Sequence, residues 1–243
     1  MSDAKRYNSI VLCDANNVGV LTELPCLQDP LPEGFDLLSI PGGVAALLDD
    51  THPWAEVAAN SLDLLVSAHE LETLMVVGDE SARAAADQAS ASLREKFGVM
   101  VETWTPSKRA VHDVACCVVL CADGRQYRLK EGLAPKMLPE LYLPSTAALV
   151  IPGGPHIVAR TQHGHLVHDW YKSFDDKTVP VHGICHKTCA MYAATGVSFE
   201  KQDAAFSHDM AGWLRIFNGG SKAGVVGIDE RNVVTGIDWH ASF

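Results

Sequence analysis

Twice in this chain an apolar run ends in Pro-Gly-Gly. Phe35-Asp36-Leu37-Leu38-Ser39-Ile40 runs into Pro41-Gly42-Gly43, and Ala147 to Ile151 runs into Pro152-Gly153-Gly154. A glycine pair permits φ values closed to other residues, so each strand can turn sharply there or bring its backbone close to a ligand. Each such strand is preceded by another that ends at a cysteine: Ser9 to Asp14, with Cys13 near its end, and Val118 to Cys121.

The segments after each Pro-Gly-Gly repeat as well. In the first half, Trp54 to His69 carries apolar residues at helical spacing, Thr73 to Val77 reads as a strand, and Ser81 to Phe97 is an alanine-rich amphipathic helix. Val99, Val101 and Trp104 then read as a strand ended by Pro106. In the second half, Leu166 to Phe174 is a helix, Val179 to Gly183 a strand, and Thr188 to Ala194 a helix halted by Gly196. The tail adds two short strands, Gly224 to Glu230 and Asn232 to Gly236, around an acidic turn. Strands that alternate with helices predict an α/β fold, here as two repeats, each a small, mostly parallel sheet flanked by helices. The boundary falls in Thr105-Pro106-Ser107-Lys108-Arg109, giving units 1–108 and 109–243. Ligands in such sheets bind beyond the carboxyl ends of the strands.

Charge narrows the function classes. Nineteen basic against thirty acidic residues give a net charge of −11, which argues against sequence-independent binding to nucleic acid or to anionic membranes. With 47% hydrophobic residues the chain can bury a large core, but it holds no long apolar run and opens on no export pattern. A cytoplasmic protein is the expectation. Its seven cysteines are odd in number and most fall in two clusters, Cys116, Cys117 and Cys121 and then Cys185 and Cys189, which reads as reduced thiols and metal chemistry.

The two clusters carry the chemistry. Cys121 is followed at alternate positions by Asp123 and Arg125, and a later strand runs into His182-Gly183-Ile184-Cys185-His186-Lys187-Thr188-Cys189. Zinc sites with three protein ligands and one open position draw on this donor set. The pattern Cys-x-Asp-x-Arg followed by His-x-x-Cys resembles the β-class carbonic anhydrases. The resemblance implies reversible hydration of carbon dioxide to bicarbonate, with Zn2+ held by Cys121, His186 and Cys189. Asp123 would orient the zinc hydroxide or occupy the fourth position in a resting state, and Arg125 would hold Asp123 ionised and aimed through a bidentate pair. It also implies that the glycines of Pro152-Gly153-Gly154 lie beside the pocket. By the same register the first half reads Cys13, Ala15, Asn17, then Asp79 and Ala82, so only the first ligand survives. That half becomes a degenerate copy without metal, a built-in structural partner like the fused subunits of carboxysomal relatives. A small-molecule substrate is the expected partner, and a homodimer stays open.

Other readings of the same residues stay open. His182 and Cys185 also form His-x-x-Cys, although His186 and Cys189 lead more directly into a helix through Ala190-Met191-Tyr192. The β-class family usually has Gly where this chain has Ala190. Ala148 to Gly154, Gly183-Ile184-Cys185-His186 and Asn232 to Gly236 resemble the PfpI-like branch of the glutamine-amidotransferase-like superfamily, which implies a Cys185 nucleophile activated by a helix N-terminus and a neighbouring His or acid. A hydrolase of carbonyl sulfide or carbon disulfide, and a non-catalytic zinc-binding relative, complete the set.

Overall fold

A computed structural model of the chain describes residues 9–16, 36–69, 71–106, 116–121, 146–154, 158, 163–174, 179–186, 198, 201, 204, 208, 212–215, 217, 222–228 and 234–242. For 36, 68–69, 116–121, 146, 184–186, 222–228 and 234–242 it describes the backbone alone. The strands are β1 (Ser9–Asp14), β2 (Asp36–Ile40), β3 (Thr73–Val77), β4 (Met100–Trp104), β5 (Cys116–Cys121), β6 (Thr146–Ile151), β7 (Val181–His186), β8 (Lys222–Ile228) and β9 (Val234–Ser242). The helices are α1 (Val44–Leu48), α2 (Ala55–His69), α3 (Glu80–Phe97) and α4 (His163–Lys172).

The fold is α/β. The small sheets expected of the two halves join: the nine strands among the described residues form one mixed sheet in the order β4-β3-β1-β2-β6-β5-β7-β8-β9. Neighbours run parallel except at β2–β6 and β8–β9. In both halves the first strand lies between the second and the third: β1 pairs with β2 and β3, and β5 pairs with β6 and β7. The halves meet where β2 passes β6 through the pair Ser39–Val150. Ser39 Oγ donates to the Ala148 carbonyl at 2.7 Å, and the Ala148 N–H donates to the Ala15 carbonyl at 2.8 Å. Ala147 to Val150 are fully buried at this seam, so the polar groups there must pair internally.

Central strands buried on both faces need unbroken apolar sequence, which is why Ile10-Val11-Leu12-Cys13 carries no alternation. At the sheet's far end α3 shows how a local code sets boundaries. The carboxylate of Asp79 accepts from the Ala82 N–H at 2.9 Å and from Ser81 Oγ at 2.8 Å, while Gly98 ends the helix at φ 72° with its N–H on the Arg94 carbonyl. Ala86, Leu93 and Phe97 face the core. These bonds hold the Asp79 carboxyl below its ordinary 3.8, with the Ala82 N–H the largest cause. A depressed folded pKa gives stability that is present above the unfolded value and lost as pH falls through the folded one. Asp79→Ala is therefore expected to cost about 1 kcal/mol in denaturant unfolding at pH 7. The gap should close only below pH 3.8, and a gap already closed at pH 5 would remove the cap from the account.

Several boundaries differ from expectation. β7 begins later and runs on to His186, because β8 pairs with it as far as His186–Val226. β9 extends to Ser242, well past the expected Gly236, since an antiparallel hairpin with β8 supports its whole length. The helix expected at Thr188 to Ala194 lies outside the described residues. Among the described residues, no helix is long and apolar enough to cross a membrane.

Candidate functional site

Because β2 and β6 are antiparallel, the carboxyl ends of the first-half strands and of the second-half strands lie on opposite edges of the sheet. In the second half the chain leaves β5 toward β6 on one side and leaves β7 toward β8 on the other. Two adjacent parallel strands whose exits diverge make the topological switch point at which open α/β sheets bind ligands.

Cys121 is the last residue of β5 and His186 the last of β7, so both stand at this switch point. The β5–β7 ladder ends at Leu120–Ile184, and the next residues up are Cys121 and Cys185, with His186 one step beyond. Ile151, the residue before Pro152-Gly153-Gly154, pairs with Cys121. Gly153 (φ 74°) and Gly154 (φ 27°) turn the chain beside it with positive φ, as close backbone approach requires. Asp123, Arg125 and Cys189 lie outside the described residues, as do the side chains of Cys121, Cys185 and His186. Among the described residues no cluster of three His, Cys, Asp or Glu side chains could hold a metal.

In comparisons with protein-family models, curated proteins and solved structures, the chain matches none. The reading of the site therefore rests on the residues themselves.

The opposite edge, at the carboxyl ends of β1 and β2, holds side chains that the sequence pattern does not single out. Asp14 accepts from the Gly42 N–H at 2.6 Å and from the Asn16 N–H at 2.7 Å, tying the end of β1 to the Pro-Gly-Gly turn. Burial pushes its carboxyl above the ordinary 3.8, against the two N–H bonds and the nearby His52, which lower it. The ionised form thus costs stability at neutral pH, and stability rises as pH falls through the raised value toward 3.8. His52 accepts from the Trp54 N–H at Nδ1, which leaves Nε2 to carry the proton of the neutral ring. That ring lies flush on Gly42, where an added Cβ would stand 2.5 Å from Nε2.

The second half reaches this edge: Trp170 Nε1, from α4, donates to Asn16 Oδ1 at 3.1 Å. Cys13 is buried beside it, and desolvation pushes its thiol up to about 12, with the Ser39 hydrogen bond opposing the rise. Such a thiol is neither a nucleophile nor a ready ligand at neutral pH. Level with Cys13 on β3 stands Val77, and Asp79 is spent on capping α3. Gly78 lets that helix start tight against the strand, since a Cβ there would meet Ala82 Cβ at 2.5 Å. The first-half switch point thus offers carboxylates already bonded to backbone N–H groups. An aspartate directly after an apolar strand, read together with Pro-Gly-Gly, is the sequence signal that could have found Asp14.

Proposed function

We propose that the crevice between β5 and β7 is the working site, and that it binds zinc for the reversible hydration of carbon dioxide. The observation that carries the proposal is the placement of Cys121 and His186 at the ends of adjacent parallel strands, at the sheet's switch point. Two thiolates and an imidazole match zinc's preferred donors, so Cys121, His186 and Cys189 would hold the metal. When bound, the ion supplies a Lewis acid that brings the pKa of water down toward about 7. Arg125 would fix Asp123 through a charge-assisted pair, and Asp123 would accept a proton at its carboxylate oxygen and orient the reacting group. The Pro152-Gly153-Gly154 turn, next to Cys121, would bring backbone to the substrate. On this reading the two halves are carbonic-anhydrase-like copies, the first without metal, in a cytoplasmic protein. The shared strand order of the halves supports it.

One observation favours a second reading, that of a PfpI-like enzyme with Cys185 as its nucleophile. The ladder brings Cys185, ahead of His186, to the level of Cys121. Elemental analysis of the purified chain separates the two. Close to one zinc per chain, lost in Cys121→Ala, His186→Ala and Cys189→Ala but kept in Cys13→Ala, is the expected result. Metal-free protein with a fast-alkylating Cys185 would replace the first reading by the second. Loss of zinc in His182→Ala but not in His186→Ala would move the ligand pair to His182 and Cys185.

A further inference from the structure

Among the described residues, the outer edge of the sheet at β4 is open. Met100 donates its N–H to the Glu72 carbonyl and Trp104 accepts at its carbonyl from the Gly78 N–H, both on the β3 side. Successive residues of a strand turn their backbone groups to opposite sides, so the N–H and C=O of Val101 and Thr103 point away from β3. Among the described residues, no strand lies beyond β4. The strand carries no proline, lysine or bulge, the usual guards of an exposed edge, and its one charge is Glu102. Met100 is 52% exposed.

Beside this edge runs a groove of about 560 Å³ lined by Ser90, Ala91, Arg94 and Glu95 of α3 and by Met100 and Val101 of β4. Charge identifies what fits there. Although the whole chain carries −11, α3 is balanced, with Glu80, Asp87 and Glu95 against Arg83, Arg94 and Lys96. Arg94 and Glu95 are adjacent in the groove wall, so a two-fold axis running past them sets each arginine against the other copy's glutamate. A surface with both halves of its own complement is what an isologous contact needs.

We propose that this edge is a homodimer interface, with β4 pairing antiparallel to β4 of a second copy on a two-fold axis at Val101. That register joins the outward-pointing groups of Val101 to its own copy and those of Thr103 to Val99. It sets Glu102 opposite Met100, whereas an axis at Glu102 would oppose two like charges. It also lays groove on groove, because Val101, Arg94 and Glu95 line the same depression. The nine-stranded sheet then continues across the dimer.

Sedimentation velocity on the full chain tests this. The wild type is expected to sediment at twice 26.2 kDa at about 100 µM, where even a micromolar dimer is populated. Val101→Pro removes the N–H on the axis while leaving every bond to β3, and Arg94→Glu sets like charges across it. Each should raise the dissociation constant about tenfold or more with the circular dichroism unchanged. The swap Arg94→Glu with Glu95→Arg should restore dimerisation. A wild type that is monomeric throughout, a dimer indifferent to Arg94→Glu, or a swap that fails to rescue would each overturn the proposal.

Discussion

Asp123→Ala and Arg125→Ala are expected to keep their zinc and to lose most carbon dioxide hydration, by roughly 10²- to 10⁴-fold, the usual contribution of a positioned group in proton transfer. Neither residue belongs to the proposed ligand set of Cys121, His186 and Cys189, so metal content is the control that separates this loss from a collapsed site. Arginine has no metal-binding atom and would act only by holding the carboxylate. The two losses should therefore be similar and should not add in the double variant. If Asp123 instead only blocks a resting metal, its removal would leave or raise the rate, and that outcome would reverse its assigned role. Stopped-flow hydration assays on wild type and the three variants decide between the two. A zinc-loaded wild type that hydrates nothing even above about pH 8, where metal-activated water is ionised, would strike carbon dioxide from the reading. Carbonyl sulfide, carbon disulfide or a binding role would then remain.

The proposed site was legible in the sequence to the extent that its chemistry is local. Cys121 closes an apolar β-branched run, and such a run has few alternatives to a central parallel strand. The same holds for β1, β2 and β6. α3 was legible almost to the residue, because Ala-rich helical spacing is bracketed by an aspartate cap and a glycine stop. What sequence could not supply was whatever depends on a distant partner. The β2–β6 ladder has one paired position, Ser39 and Val150, more than a hundred residues apart, and neither residue announces an antiparallel neighbour. β7 was expected to stop at Gly183. Pairing with β8 carries it on to His186, and this brings Cys185, beyond the expected strand end, into the strand. Asp14 and His52 are 38 positions apart, with β2, the Pro-Gly-Gly turn and α1 between them, and only the fold brings them near enough to interact. α1, five residues long, is too short for periodicity to reveal.

Gly43→Ala is expected to be among the most destabilising single-methyl changes available, at about 2 to 4 kcal/mol. Two costs coincide there. Its backbone sits at φ 52°, ψ −124°, outside the regions open to residues with a Cβ, and the added atom would lie 3.0 Å from the Asp14 backbone nitrogen and 3.3 Å from the Cys13 carbonyl carbon. Neither neighbour can yield easily, since β1 is held between β2 and β3. Gly98→Ala provides the comparison: it also has positive φ, at 72°, but nothing lies within 4 Å of its would-be Cβ. It should cost about 1 kcal/mol, the left-handed penalty alone. The difference between the two variants in urea unfolding isolates what close approach adds to backbone strain. If Gly43→Ala unfolds no more readily than Gly98→Ala, packing of the turn onto the end of β1 is not what the glycine is for. A large difference would establish that the Pro-Gly-Gly turn serves to bring backbone hard against a strand end. That is the role Gly153 and Gly154 would play beside Cys121, where the residue before their turn pairs with the cysteine.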